Sequence, residues 1–573
     1  MSVRDDYRPA PGRAVGSAGL RWLGAAIWWV EHAFERAKAD ERPEEDTRVR
    51  IFIILAAFVL MFTCIAVAAT HRALFANVGG VGFAGQSGGL QRADVVDRNG
   101  QLLATNIIHY GLYVDPAEVW DRDQAVVQLK RALPRISVRK LRNILAGDRR
   151  KVVLNGLTPQ ERMAVHALAL GGVSFEPEDQ RVYPLTPSAR HVLGGVDTGG
   201  EGLSGLEKAF NAEIQAAGAR NLPFETSIDL RVQGVVENEL AAAAMETGAK
   251  RGIAIVTNVN TGEVLALASW PGTSSLNAAT SVTYEMGSVF KTFAVAAGLD
   301  TGRADMDTLF DASQAMQIGK RRITDFHAQN RVMTLEEVYL HSSNIGTSML
   351  AVGMGASVMR GYFQRLGLLE KVPFELPTET PIAPREWSDS TLASLSFGYG
   401  ISITPAHMAA AMNALTNGGL YRPLTLRKGG LPGVAPRRVV SEQTSLTLLD
   451  LMRRNVVRGS GTRADAPGLR VGGKTGSANK SVNGRYSTAH AVGTFAGVFP
   501  ADGPANAQRY GVLVLIDEPQ TYPRTGGFVA APAVGRIADR IAPFVGVERR
   551  DDPYRTALGE KIEPVEDVEG DGR

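Results

Sequence analysis

An uninterrupted apolar stretch near the N-terminus is the strongest hydrophobic pattern of the chain. Residues 51–70 carry no charged side chain, and about twenty such residues suffice to cross a bilayer core of ~30 Å as one helix. Arg48 and Arg50 precede the stretch and Arg72 follows it, which favours a cytoplasmic N-terminus. The pattern predicts a single transmembrane helix at 51–70, with a buried core helix and a cleaved signal peptide as the alternatives.

Three segments lack the apolar periodicity of folded elements. Residues 1–50 mix arginines with acidic side chains, residues 71–91 are rich in glycine, and residues 548–573 are rich in charge. They predict a cytoplasmic tail, a linker and a disordered C-terminal tail. The linker contains a literal GxGxxG at 80–85, but no strand pattern precedes it and no helix signal follows, so a dinucleotide site is not predicted.

Between residues 92 and 225 the pattern changes to short strands and amphipathic helices. Residues 93–96 and 101–104 predict two strands joined by a turn, and residues 123–146 and 158–170 predict helices. No pair of side chains suited to act as nucleophile and base stands out in this span. We therefore predict a multidomain chain with a non-catalytic α+β pedestal domain over 92–225.

Residues 226–547 show the pattern of one larger α/β domain. The tripeptide at 260–262, Asn-Thr-Gly, separates two apolar runs, which is a strong β-hairpin signal. Helical periodicity dominates 288–366 and returns at 404–417, and strand patterns return at 470–477, 490–499 and 510–516, after which residues 531–541 would close the domain. Two early strands, central helices and three late strands predict a five-stranded antiparallel sheet covered by helices.

Composition adds exclusions to this picture. The 573-residue chain has a formal net charge of +3, so nothing indicates binding to nucleic acid. Its single cysteine, Cys64, excludes an intrachain disulfide and a zinc site built from cysteines. His327 and His341 lack the paired spacing of metal ligands and are interpreted as structural. No cofactor or metal is predicted.

Ser288-Val289-Phe290-Lys291 is the first of three motifs that carry chemistry. Ser288 stands at a predicted helix start, with Lys291 one turn later on the same face. A serine hydroxyl needs a base to become nucleophilic at neutral pH, and a buried lysine with a lowered pKa can be that base. Backbone N–H groups at the helix start would stabilise an oxyanion. Taken alone, such a motif is more often an N-cap serine followed by a surface lysine.

Ser342-Ser343-Asn344 is the second motif, and it follows a predicted helix that a capping box at Thr334 opens. The Ser342 hydroxyl is suited to shuttle a proton between Lys291 and a leaving amine, and the Asn344 amide is suited to bind a substrate backbone. In isolation, an ordinary polar turn at a helix end is the simpler interpretation.

Lys474-Thr475-Gly476-Ser477 is the third motif, on a predicted strand. The hydroxyls of Thr475 and Ser477 can bind a terminal carboxylate while Lys474 supplies positive charge. Gly476 has no side chain, so a substrate backbone can approach the strand closely. An edge-strand turn with a surface lysine is the alternative for this motif alone. The fixed order of all three motifs, in matching helix and strand contexts, favours acyl transfer through a serine ester.

The three motifs in this order resemble those of penicillin-binding proteins and class A β-lactamases. Further segments make the chain similar to a class B penicillin-binding protein from residue 50 to residue 545. These segments are Asp97-Arg98-Asn99-Gly100, Arg181-Val182-Tyr183-Pro184, Gly205-Leu206-Glu207, Thr261-Gly262-Glu263-Val264-Leu265-Ala266, Gly398-Tyr399-Gly400 with Thr404-Pro405, and Gly459-Ser460-Gly461-Thr462. Two departures are minor: Met286 stands where proline is common in the family, and Ser477 replaces a frequent threonine but keeps the hydroxyl.

The resemblance implies a peptidoglycan D,D-transpeptidase that works without a cofactor. Ser288 would attack the D-Ala-D-Ala end of a stem peptide and release D-alanine, and the acyl group would then pass to an amine of a neighbouring stem. Backbone N–H groups of Ser288 and Ser477 would form the oxyanion hole, and β-lactams would acylate Ser288 and stay bound. The catalytic residues would be Ser288, Lys291, Ser342, Asn344 and Lys474, with Thr475, Gly476 and Ser477 binding substrate.

The resemblance also implies a cellular setting. The chain would be a single-pass protein of a bacterial inner membrane, with its N-terminus in the cytoplasm and its catalytic domain in the periplasm. Its partners would include a SEDS-type membrane glycosyltransferase (FtsW-like) and other division proteins. The compact N-terminal module, without a glycosyltransferase region, resembles the septal type more than the elongation type.

Proteins of other classes are the alternatives. A D,D-carboxypeptidase or a β-lactamase would hydrolyse the acyl-enzyme, but no Glu-x-x-Leu-Asn pattern follows Asn344 to supply a deacylating base. A β-lactam sensor shares the three motifs, yet its usual multi-helix membrane region is not predicted here. A non-enzymatic scaffold remains a further alternative, because the module at 92–225 is suited to bind partners.

Overall fold

The computed structural model describes residues 54–67, 92–185, 188–197, 199–274, 276–482 and 484–552. The chain divides into two compact units, Met1–Gly85 and Gln86–Arg573. The predicted tail at 1–50, the predicted linker at 71–91 and residues 553–573 of the predicted C-terminal tail lie outside the described residues.

The described part of the first unit is one helix, α1, at residues 54–67. It covers the centre of the predicted transmembrane span, whose ends at 51–53 and 68–70 lie outside the described residues. Across the described parts of the chain, no helix is both long and apolar enough to cross a membrane. The transmembrane helix at 51–70 therefore stays a prediction.

The pedestal is an α+β domain built around one long strand. Its strands are β1 (Val95–Val96), β2 (Leu102–Val114), β3 (Lys151–Leu157), β4 (Val173–Val182), β5 (Gly195–Val196), β6 (Gly202–Ser204) and β7 (Phe224–Glu225). Its helices are α2 (Arg122–Ala132), α3 (Val138–Leu145), α4 (Pro159–His166), α5 (Arg190–Leu193), α6 (Gly205–Ala209) and α7 (Asn211–Ala219). Strand β2 pairs antiparallel with β1, β3 and β4, while β1 pairs parallel with β7.

The helical pattern predicted at 123–146 is divided into α2 and α3 around Pro134. Proline lacks an N–H and disfavours helical backbone in the residue before it, so α2 ends at Ala132. Ser137 then caps α3 by accepting a hydrogen bond from the Lys140 N–H. The buried faces of both helices belong to the same hydrophobic cluster as β2, so they close the pedestal core.

A buried ionic cluster holds the base of the pedestal together. The Glu207 carboxylate accepts hydrogen bonds from Arg92 Nη2 at 2.5 Å and from Arg181 Nε at 2.8 Å, and each of these side chains is 3% exposed or less. A buried charge is costly without a partner, so the three groups depend on one another.

The pedestal connects to the catalytic domain through the turn that follows β1. Asp97 Oδ1 accepts hydrogen bonds from the N–H groups of Asn99 and Gln101, at 2.8 Å each, and its Oδ2 accepts one from Leu230 N–H at 3.1 Å. Gly100 has a φ of +82°, a conformation that favours glycine. The Asp97 carboxylate therefore fixes both the turn and the start of the first catalytic-domain helix.

The catalytic domain contains a five-stranded antiparallel sheet, which confirms the predicted sheet. Its strands are β8 (Arg251–Asn258), β9 (Val264–Trp270), β16 (Gly472–Val482), β17 (Arg485–Phe499) and β18 (Tyr510–Asp517). They pair in the order β16–β17–β18–β8–β9. Shorter strands pair outside this sheet: β10 (Leu309–Asp311) with β13 (Val332–Thr334), β11 (Met316–Ile318) with β12 (Arg321–Ile323), and β14 (Leu420–Tyr421) with β15 (Arg437–Arg438).

Ten α-helices within the described residues surround this sheet. They are α8 (Leu230–Thr247), α9 (Ala278–Ser281), α10 (Lys291–Asp300), α11 (Leu335–Leu340), α12 (Asn344–Arg365), α13 (Asp389–Ser396), α14 (Pro405–Thr416), α15 (Glu442–Arg458), α16 (Gly526–Val529) and α17 (Ala531–Val545).

The sheet is buried on both faces. Along β8, Ile253 and Ile255 belong to the hydrophobic cluster that includes α10 and α14, whereas Ala254 and Val256 belong to the cluster that includes α8 and α17. Successive side chains of a strand point to opposite faces, so a strand covered on both sides reads as a continuous apolar run. Strand β16 remains at the edge of this sheet, where it contacts the turn that carries Ser288.

Candidate active site

The predicted nucleophile lies in a tight turn packed against the edge strand. A 3-10 turn covers Gly287–Phe290, and the α-helix α10 begins at Lys291 rather than at Ser288. Gly287 has a φ of +58°, and a Cβ there would lie 2.2 Å from the carbonyl oxygen of Ser477 and 2.9 Å from its backbone nitrogen. Only glycine permits this contact, so the turn holds half-buried Ser288 directly beside β16.

Lys291 is fully buried at the start of α10. Its Nζ donates a hydrogen bond to Ser342 Oγ at 3.0 Å and another to the Ser342 carbonyl oxygen. Burial, reinforced by the charge of Lys474 and opposed by that of Asp325, holds the pKa of Lys291 well below its usual value. An amine that is readily neutral can accept a proton from a neighbouring hydroxyl.

Ser342 contacts both buried lysines of the site. Its backbone adopts a φ of +57°, which is uncommon outside glycine. Lys474 Nζ donates to the same Ser342 Oγ at 3.1 Å, so two amines from different elements converge on one hydroxyl oxygen. This arrangement can pass a proton from one amine to the other through the hydroxyl.

Lys474 is fully buried on β16, unlike the surface lysine considered as an alternative from the sequence. Burial lowers the pKa of Lys474 to about 7. Near neutral pH the free site therefore holds this amine in both protonation states. A bound carboxylate would favour the charged form, because an opposite charge close by offsets the cost of burial.

The motif that follows α11 is fixed by hydrogen bonds to residues 324 and 325. Asp325 accepts hydrogen bonds from Ser343 Oγ at 2.7 Å and from Ile345 N–H at 3.0 Å. Asn344 Nδ2 donates to the Thr324 carbonyl oxygen at 2.9 Å. The Asn344 amide is thus anchored on one side, which leaves its carbonyl oxygen and one N–H for a substrate.

Hydroxyl groups cluster on β16 beside the amines. Thr475 Oγ1 lies 2.8 Å from Ser460 Oγ, and Lys474 Nζ lies 3.5 Å from each of these two oxygens. Ser477 is exposed, and its Oγ accepts a hydrogen bond from Gly526 N–H at 3.0 Å. One lysine amine and three hydroxyls are therefore available along this edge, a set of groups suited to bind an anion.

The structure gives Gly476 a different role from the one expected. A Cβ on Gly476 would lie 2.2 Å from the Met286 carbonyl oxygen and 2.8 Å from Val289 Cγ2. The bare face of this glycine is therefore turned toward the nucleophile turn and not toward open space for a substrate. Glycine is required here because β16 and the turn of Ser288 pack backbone against backbone.

Three side chains of the site have no local sequence signal: Ser460, Asp325 and Asn455. Ser460 lies within a family segment, and an isolated acidic residue in a polar loop, such as Asp325, has no diagnostic spacing. Asn455 is fully buried, donates to the Gly473 carbonyl oxygen at 2.8 Å, and contacts Ser460. Their roles depend on tertiary contacts across 15 or more residues.

Comparisons with known proteins agree with this geometry. The penicillin binding protein transpeptidase domain family matches residues 252–539, and the penicillin-binding protein dimerisation domain family matches residues 90–221. The chain is 48% identical to the probable peptidoglycan D,D-transpeptidase FtsI of Caulobacter vibrioides, over 94% of this chain and 96% of the relative. It is 29% identical to the peptidoglycan D,D-transpeptidase FtsI of Escherichia coli K12, over 83% and 86% of the two chains.

A third relative has a comparable extent of similarity. The chain is 28% identical to the stage V sporulation protein D of Bacillus subtilis, over 80% of this chain and 79% of the relative. The order of a dimerisation domain followed by a transpeptidase domain, and the similarity along nearly the whole chain, place it in one family. The chain belongs to the class B penicillin-binding proteins, serine transpeptidases of peptidoglycan.

Proposed function

We propose that this enzyme cross-links septal peptidoglycan through an ester formed on Ser288. The convergence of Lys291 Nζ and Lys474 Nζ on Ser342 Oγ, at 3.0 and 3.1 Å, is the observation that carries the proposal. Lys291 directly follows the turn that carries Ser288, so it is suited to act as the base, and the Ser342 hydroxyl offers a route by which a proton reaches the leaving amine. The similarity to two proteins named FtsI supports the septal assignment over the elongation type.

In the acylation step, Ser288 Oγ attacks the carbonyl carbon of the penultimate D-alanine of a stem peptide. Neutral Lys291 accepts the hydroxyl proton, and the Ser342 hydroxyl donates a proton to the departing amine while it takes one from a lysine. The C–N bond breaks, D-alanine leaves, and an ester links the stem to Ser288. Attack by an amine of a second stem reverses these proton transfers, forms the new amide and frees the serine.

Backbone N–H groups of Ser288 and Ser477 stabilise the oxyanion in both steps. The close approach of Gly287 to the backbone nitrogen and oxygen of Ser477 supports this role, because it brings the two peptide units side by side. Donors that are already positioned cost no reorganisation when charge develops on the carbonyl oxygen. Lys474, Thr475 and Ser477 hold the terminal carboxylate of the donor stem, and Asn344 binds its backbone.

The predicted span at 51–70 anchors the enzyme in the inner membrane, with residues 1–50 in the cytoplasm and the pedestal and catalytic domain in the periplasm. A SEDS-type glycosyltransferase (FtsW-like) and other division proteins are its partners in the membrane. Protease added to spheroplasts is expected to digest the bulk of the chain, and full protection would contradict this topology. Imaging of a tagged chain at mid-cell, rather than along the side wall, tests the septal role.

Covalent labelling of the full-length chain tests the chemistry. A fluorescent penicillin is expected to label the wild-type chain and to leave the Ser288→Ala variant unlabelled while its thermal unfolding stays near that of the wild type. Labelling of the variant at the normal rate would rule out Ser288 as the nucleophile. A long-lived acyl-enzyme supports a transpeptidase, whereas rapid release of hydrolysed penicillin would indicate a β-lactamase.

A further inference from the structure

Ser460 supplies one of the three hydroxyls near Lys474, but it has no place in the mechanism above. It follows the C-terminus of α15 and is itself exposed, while its hydroxyl contacts two buried side chains, Asn455 and Thr475. Ser460 Oγ lies 3.1 Å from Asn455 Oδ1 and 2.8 Å from Thr475 Oγ1. A hydroxyl has one proton to donate, so these two acceptors compete for it.

The orientation of the Asn455 amide is fixed by its surroundings. Its Nδ2 donates to the Gly473 carbonyl oxygen at 2.8 Å, which turns Oδ1 toward Ser460. That oxygen also accepts a hydrogen bond from the backbone N–H of Ser460 at 3.1 Å. Asn455 Oδ1 is therefore satisfied even when the Ser460 hydroxyl turns away from it, and no buried acceptor is left without a partner.

The two proton arrangements differ in what they leave to Thr475. When the Ser460 hydroxyl donates to Asn455 Oδ1, Ser460 Oγ can act toward Thr475 only as an acceptor. The Thr475 hydroxyl then donates its proton to Ser460 and has none left for a ligand. When Ser460 donates to Thr475 Oγ1 instead, the Thr475 proton is free to bind a carboxylate. Lys474 Nζ, 3.5 Å from both oxygens, supplies the positive charge in either arrangement.

We infer that Ser460 is a positioning residue that directs the Thr475 hydroxyl toward the carboxylate of the donor substrate. This inference rests on the proposed function, since it assigns a partner to the same carboxylate site. Ser460 acts through Thr475 and has no contact with the reacting atoms. Removal of its hydroxyl should therefore slow acylation by ligands with a free carboxylate more than acylation by their esters. This difference should appear only while Thr475 has a hydroxyl to orient.

The test compares a penicillin with its methyl ester on the full-length chain. The measured quantity is the ratio of the acylation rate constant of the acid to that of the ester. In Ser460→Ala this ratio is expected to fall about three- to tenfold, the effect of losing one neutral hydrogen bond. Ser460→Thr keeps the hydroxyl and should restore the wild-type ratio.

A double variant separates positioning from direct contact. Thr475→Val should itself lower the ratio, and adding Ser460→Ala to it should produce no further fall, because nothing remains to be oriented. A further fall in the double variant would show that Ser460 contacts the carboxylate itself, and would overturn the inference. An unchanged ratio in Ser460→Ala would overturn it as well.

Failure of the proposed function would look different in the same experiment. If the chain were not a penicillin-reactive acyltransferase, the wild type would be acylated by neither the acid nor the ester, and if another residue were the nucleophile, Ser288→Ala would be acylated like the wild type. If the chemistry were right and Ser460 had only a structural role, Ser460→Ala would slow both compounds equally and unfold at a lower temperature. If the wild type is acylated and the acid-to-ester ratio is unchanged in Ser460→Ala, the role of Ser460 is rejected while the proposed function stands.

Discussion

At the scale of single residues, the site depends on two buried amines that share one hydroxyl oxygen. Lys291 and Lys474 are both fully buried and lie within hydrogen-bond distance of Ser342 Oγ. Two cations this close repel each other, and the charge of Lys474 contributes to the low pKa of Lys291. The pair is therefore most stable when at most one of the two amines is protonated. A proton can then pass from the charged amine to the neutral one.

Lys291→Arg tests the requirement for a neutral amine. Arginine keeps the positive charge but does not lose its proton in proteins, so it cannot act as the base. Acylation by penicillin should slow by about a hundred- to ten-thousandfold, the usual contribution of a positioned general base. The rate is measured by stopped-flow labelling, with thermal unfolding as a check on folding. Acylation near the wild-type rate would exclude Lys291 as the base.

Lys474 makes stability depend on pH in a defined direction. Its pKa is about 7 in the folded chain and 10.5 when unperturbed, so between these values the unfolded chain binds more protons. Stability therefore rises with pH across this window, and the contribution is lost as pH falls toward 7. Urea midpoints measured from pH 7 to 10 should rise less steeply in Lys474→Met. Identical slopes in both proteins would contradict a strongly lowered pKa.

At the scale of elements, catalysis depends on the contact between the edge strand β16 and the turn at Gly287–Phe290. Glycines lie on both sides of this contact, since a Cβ at Gly287 would meet the Ser477 carbonyl oxygen and one at Gly476 the Met286 carbonyl oxygen, each at 2.2 Å. These are backbone atoms that cannot move aside as a flexible side chain does. The close packing of the Ser288 turn against β16 is thus possible only because residues 287 and 476 are both glycine.

Gly476→Ala is expected to push the strand and the turn apart. Acylation should slow by more than about a hundredfold for the acid and the ester of a penicillin alike, because a small displacement of the nucleophile is costly. Gly234→Ala in α8 is the matched control, since a Cβ there meets nothing within 4 Å. That control should raise stability by up to about 1 kcal/mol. Normal acylation in Gly476→Ala would refute the packing role of this glycine.

The sequence predicts the elements of the catalytic domain better than it predicts the contacts between them. The hairpin around Thr261, the capping box at Thr334 and the five-stranded sheet follow from local signals, and the structure has all three. The first and third motifs also contain the two lysines that contact Ser342 Oγ. The role of Gly476 and the contributions of Asp325 and Ser460 were not predictable, because each depends on which distant segment packs against it.

At the scale of the whole molecule, the pedestal has one core of its own and shares a second hydrophobic cluster with the catalytic domain. The cluster formed by α2, α3 and β2 contains only pedestal residues, whereas the catalytic sheet is packed between two other clusters. The residues at the pedestal base join the larger catalytic cluster through Val95 and Phe224. The buried Arg92–Glu207–Arg181 cluster lies in this same region, so it connects the pedestal to the domain that carries the chemistry.

Glu207→Gln should destabilise this connection without altering the chemistry at Ser288. Loss of the carboxylate charge leaves Arg92 and Arg181 buried without a counter-ion, at a cost of about 3–5 kcal/mol. Glu161→Gln is the matched control, because its ion pair with Arg135 is partly exposed and worth about 1 kcal/mol or less. Limited proteolysis and thermal unfolding should report a weakened pedestal only in Glu207→Gln.

Penicillin acylation measured on the same two variants decides how far the domains depend on each other. Glu207 forms its ion pairs with Arg92 and Arg181, which both belong to the pedestal, so the acylation rate should stay near that of the wild type. Cross-linking of a polymeric substrate should fall, since the pedestal no longer holds a fixed position relative to the catalytic domain. Parallel loss of acylation and pedestal stability would instead mean that the two domains fold as one cooperative unit.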